Sequence, residues 1–84
     1  MFAAWVGCRI CTATTRFVEM REPRDALWEE ARVHVAAEHP GKDASLVLWE
    51  QSGRLSALSI VAETEADWLA VYNTRCPPRI PPVP

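Results

Sequence analysis

The order in which local patterns succeed one another constrains this chain more than any motif. An extended run at 12–20 leads into a helical stretch that opens at Pro23 and reaches His39. Two strand-like runs follow, Leu46–Gln51 and Arg54–Ala62, separated by the turn pair Ser52-Gly53. A second helical stretch, Thr64–Arg75, completes the series. Strand, helix, strand, strand, helix specifies a small α+β sandwich. Phe2–Ile10 can supply a further strand in front, giving the order (β)βαββα. The expected product is a mostly antiparallel sheet of three or four strands with two helices on one face. Residues 1–76 form the single domain of this reading, and 77–84 a proline-rich tail.

Each assignment has a local cause. Thr12, Thr14, Thr15, Phe17 and Val18 are β-branched or aromatic, which suits a pleated surface. Pro23 is harmless in a first helical turn, and Asp25 faces the positive end of the helix dipole. Leu27, Trp28, Ala31, His34, Val35 and Glu38 recur at three- and four-residue spacings and share one helix side. Pro40-Gly41 then ends the helix. Thr64-Glu65-Ala66-Asp67 has the form of a capping box, with Arg75 at the opposite, negative end of the dipole. In the hairpin, Gln51 pairing with Arg54 would set Val47 across from Leu58 and Trp49 across from Ser56. Leu46, Leu48, Leu55 and Ala57 would lie on the other face. Both faces are then apolar, and one helical layer covers only one of them.

Composition narrows the function. Eighty-four residues with 49% hydrophobic content form one ordered domain with a thin core. A formal net charge of −2, with Lys42 the lone lysine, supplies no basic stripe for phosphates, so direct nucleic-acid binding is not expected. Phe2–Val6 is too short for a membrane span or a signal core, and the expected setting is the cytoplasm. Three cysteines cannot all pair within one chain, which fits reduced thiols.

Cys8-Arg9-Ile10-Cys11 is the one suggestive motif. A redox pair would need a helix N-terminus behind it, whereas Thr12, Thr14 and Thr15 favour extension. A metal site would need two more ligands, and His34 and His39 have the spacing of two-cysteine, two-histidine zinc modules, with Cys76 as a spare thiolate. The 12–33 stretch is longer than such modules use, and the expected order of elements differs from theirs. The sequence reading therefore expects ordinary thiols and no cofactor, and holds zinc binding or thiol redox chemistry at Cys8/Cys11 as the alternative. No nucleophile motif, paired carboxylates or phosphate-cradling glycine loop accompanies them, so no enzyme is expected.

Four tryptophans, Trp5, Trp28, Trp49 and Trp68, fall one to each main segment. In a thin core they add burial, and at an interface they act as anchors. The leading expectation is a non-enzymatic interaction protein that binds or occludes a partner, in the manner of a phage or mobile-element inhibitor or accessory protein, or that pairs with a second copy. Its contact surface would be the Leu46–Ala62 hairpin, through Trp49, Val47, Leu58 and Leu48. The proline spacings Pro78 to Pro81 and Pro81 to Pro84 read as a loose terminus with some capacity to dock on aromatic grooves.

Overall fold

A computed structural model describes residues 2–55 and 60–83. It contains β1 (Phe2–Cys8), β2 (Val18–Glu19), α1 (Asp25–Glu38), the single turn α2 (Ala44–Val47), β3 (Leu48–Arg54) and α3 (Glu65–Arg75). The fold is α+β, with a three-stranded antiparallel sheet in the order β2-β1-β3. The N-terminal segment is the central strand. Its alternation of Ala3, Trp5 and Gly7 with Ala4, Val6 and Cys8 gives β1 two apolar sides, as a strand covered on both faces requires.

Each side has its own helix. Ala4, Val6 and Cys8 pack with Leu27, Ala31 and Val35 of α1, together with Ala13, Val18, Leu48 and Ile80. Ala3 packs with Leu55 and with Leu69 of α3, bordered by Trp5, Phe17, Trp68 and Tyr72. The helices thus lie against opposite faces rather than sharing one. The second apolar face that the sequence left uncovered is covered in part, at its Ala3 and Trp5 end, by the chain's own α3.

The expected hairpin is not formed. Ser52 and Gly53 lie inside β3, where they pair with Ala4 and Ala3 of β1. Pairing with a strand from the other end of the chain gives β3 a ladder along one whole edge, and the local turn signal is overridden. Of the expected second hairpin strand, residues 56–59, including Leu58, lie outside the described residues. The extended run at 12–20 contributes only the two residues of β2 and a single bridge from Thr14 to Gly7.

The helices follow their local signals closely. α1 starts two residues after Pro23, and α3 is capped by Thr64, whose Oγ1 accepts from the Asp67 N–H at 3.1 Å. Gly41, at φ +86°, makes the reversal after α1. The proline-rich segment does not hang free. Ile80 has no exposed surface, and its N–H donates to the Thr14 carbonyl at 3.1 Å. Among the described residues, no helix is long and apolar enough to cross a membrane.

Candidate metal centre

The α1-side layer ends at Cys8, the last residue of β1. The chain turns immediately: the Thr12 N–H donates to the Cys8 carbonyl at 2.9 Å, and the Cys8 N–H donates to the Ala13 carbonyl at 2.8 Å. Thr12 takes the left-handed conformation at φ 61°, uncommon for a β-branched residue, with its hydroxyl donating to the Cys11 carbonyl at 2.6 Å. This turn brings Cys11 back beside Cys8. The Arg9 N–H, bonded to the Val47 carbonyl at 2.8 Å, ties the turn to α2.

The histidines arrive from α1. His34 shares its inward face with Leu27, Ala31 and Val35 and is itself buried. His39 caps the helix, its N–H donating to the Val35 carbonyl at 2.8 Å, and the two imidazoles meet edge to face with ring centres 5.1 Å apart. Cys11 Sγ lies 3.3 Å from His34 Nε2. One donor atom from each of Cys8, Cys11, His34 and His39 lies within 4.8 Å of the other three.

That spacing is close to what tetrahedral zinc needs. Bonds of about 2.3 Å to sulfur and about 2.0–2.1 Å to nitrogen set neighbouring ligand atoms roughly 3.3–3.8 Å apart. Small side-chain rotations close the difference. A second observation points the same way: His39 Nε2 is buried and has no hydrogen-bond partner. An orphaned buried nitrogen is costly, and a metal bond would satisfy it. Burial and the neighbouring His39 and Arg79 push the His34 pKa below its ordinary value, against an opposing pull from Glu38. The neutral imidazole thus favoured is the form that ligates a metal. A cavity of about 250 Å³ adjoins the cluster, lined by Cys11, His34, His39, Glu38, Arg79 and Pro81 among others.

The four residues named as metal candidates from their spacing therefore come together, and Cys76, exposed after α3, is not among them. Both objections raised by the sequence have structural answers. Cys8 ends β1, Cys11 lies in the turn just after it, and the histidines sit at the end of the following helix. The long 12–33 stretch is taken up by the run beside β1, by β2 and by most of α1.

The residues of the expected interaction patch differ in exposure, and Leu58 lies outside the described residues. Trp49 is 42% exposed, Leu48 is buried at 4%, and Val47 is half-buried against the α1-side core. Trp49 lies at the end of the sheet that α3 leaves open, with the Arg9 guanidinium 4.2 Å from its ring centre. Sequence reasoning missed Arg9, because a contact between a turn residue and a tryptophan forty residues later has no local signature.

No family model, curated protein or solved structure matches this chain.

Proposed function

We propose that this chain is a small zinc-holding domain in which Cys8, Cys11, His34 and His39 bind one ion as a structural, non-enzymatic centre. The convergence of the four donor atoms within 4.8 Å carries the reading. Two thiolates and two imidazoles in a tetrahedron suit zinc among the common biological metals. Four protein ligands leave no position for a catalytic water, which makes the centre structural. The redox alternative is less well supported, since Cys11 leads into Thr12 and an extended segment rather than a helix N-terminus that would activate a thiol.

The physical role follows from size. A chain this short has limited apolar surface to bury, and metal binding that requires the folded ligand geometry contributes directly to folding. Here it would join the β1 turn to the end of α1, where the hydrocarbon layer runs out.

Elemental analysis of protein purified without chelator should give one zinc per chain. Cobalt substitution should give the intense visible bands of a tetrahedral thiolate site, and Cys11→Ser or His39→Ala should abolish them. Metal-free protein with an unchanged fold and no cobalt uptake would sink the reading.

A second reading, an interaction protein that occludes a partner or pairs with another copy, is supported by the exposure of Trp49 and of Leu46, which is 74% exposed. Under it Trp49 is the anchor, and association measured by light scattering would detect it.

A further inference from the structure

We infer that the segment Pro77–Val83 is a strap whose docking is coupled to occupancy of the metal centre: each strengthens the other, and emptying the centre releases the strap. The inference rests on the zinc reading and adds a regulatory contact to the same site.

The strap is fastened to the loop that carries the cysteines. The Ile80 N–H bonds the Thr14 carbonyl at 3.1 Å, and Arg79 Nη2 donates to the carbonyl of Cys11 itself at 3.3 Å. Ile80, with no exposed surface, belongs to the same apolar cluster as Cys8 and Ala13. Arg79 and Pro81 form part of the cavity wall that Cys11, His34 and His39 complete. The docking surface is therefore composite, made of the 11–14 segment on one side and the end of α1 on the other.

A bound ion fixes that surface. By ligating Cys11 together with His34 and His39, it holds the loop against the helix end and defines the positions of the Cys11 and Thr14 carbonyls. Without it, the Cys11 turn and the end of α1 keep the apolar packing they share through Ala13, but at the ligands themselves they keep the Cys11–His34 approach of 3.3 Å in place of metal bonds. The seat for Ile80 then opens. A proline-rich segment has few backbone bonds of its own with which to stay in place. Its hold depends on the surface beneath it. Linkage is reciprocal in binding free energy, so a chain whose strap cannot dock must bind the metal more weakly by the same factor.

The test uses the full chain and two readouts. The first is amide hydrogen exchange in the zinc-loaded and chelator-treated protein. On chelation, exchange at Ile80 should accelerate at least about tenfold more than at Leu69 of α3 on the opposite face, an excess on the ordinary scale of a coupling. Unchanged Ile80 exchange overturns the inference, and so does equal acceleration at Ile80 and Leu69, which would mean that the whole domain opens. The second readout is cobalt affinity by competition. Ile80→Ala should weaken it about tenfold with the tetrahedral spectrum retained, and the exposed-site variant Arg79→Ala should weaken it in the same direction. Affinity unchanged in Arg79→Ala and in any Ile80→Ala that folds overturns the inference. A wild-type chain that takes up no cobalt overturns the zinc reading and the strap with it. One that takes up cobalt with Ile80 exchange unaltered overturns the strap alone.

Discussion

The two sides of β1 are closed by different chemistry. Toward α1 the strand presents Ala4, Val6 and Cys8 to aliphatic partners, and at its end the thiol of Cys8 meets Cys11, His34 and His39. Toward α3 it presents Ala3, Trp5 and Gly7, and the layer is aromatic. Phe17 stands edge-on to both Trp5 and Tyr72, at ring separations of 5.0 and 5.3 Å, and Tyr72 stacks on Trp68 at 5.2 Å. The Trp5 indole N–H donates to Gln51, and the Asn73 amide bonds both the N–H and the carbonyl of Phe17 at 2.9 Å. On the second side large rings supply area and their polar partners supply orientation. On the first, small side chains pack closely but end abruptly, and polar donors finish the layer. A domain with little core can be completed by bulk or by coordination, and this chain does one on each face.

The largest effect should come from removing the ion. Chelation should lower stability by about 5 kcal/mol or more, given the size of structural zinc binding energies. In a domain of this length that corresponds to a fall of roughly 20 °C or more in Tm. A calorimetric scan with and without chelator measures it. Coincident scans would remove coordination from the comparison and leave the α1 side closed by hydrocarbon alone.

Next is Phe17→Ala, which deletes the ring that links Trp5 to Tyr72. Phe17 is only half-buried, so the cost should fall at the low end for a core aromatic, about 3 kcal/mol. The informative comparison is the same denaturant titration in chelator. If the faces act independently, the cost should be the same with and without metal to within about 0.5 kcal/mol. A difference of several times that would show that the sheet transmits strain from one face to the other.

How much of this was legible in the sequence depended on how local each cause was. α3 was readable because its cap is local: Thr64 and the Asp67 N–H are three residues apart. α1 was readable from its periodicity. Phe2–Ile10 was expected as a further strand, and the strand formed there ends at Cys8. The four metal candidates were visible as a spacing, but the distance between Cys11 and His34 concealed that β1 and β2 fold the intervening chain back on itself. β3 was misread because Ser52-Gly53 is a good turn pair, and only its pairing with a strand nearly fifty residues earlier keeps it straight. The seat of Ile80 had no signal at all. A lone isoleucine among prolines looks like a tail until Thr14 and Cys8 are placed beneath it.

The smallest effect on stability should be that of Trp49→Ala, and it tests where the aromatic side stops. α3 covers the Ala3 and Trp5 end of the sheet but not the end where Gly7 pairs with Trp49. There Trp49 lies across the glycine so closely that a Cβ at Gly7 would come within 3.0 Å of the indole nitrogen, with Arg9 over its ring. The indole thus acts as a partial cover, 42% exposed, rather than as a buried member of the aromatic cluster. An exposed cation–π contact adds about 0.5–1 kcal/mol. Truncation should therefore cost about 1 kcal/mol of stability in a denaturant titration. A cost of about 3 kcal/mol or more would place Trp49 energetically with Trp5 and Phe17 and extend the aromatic side to the end of the strand. If the fold loses only the smaller amount while self-association in a concentration series weakens by about 2 kcal/mol, the scale of an interface anchor, the open end is a contact surface. Scattering unchanged between wild type and variant would leave Trp49 as what its position describes: a lid on the glycine that ends the aromatic side, opposite the thiol that ends the other.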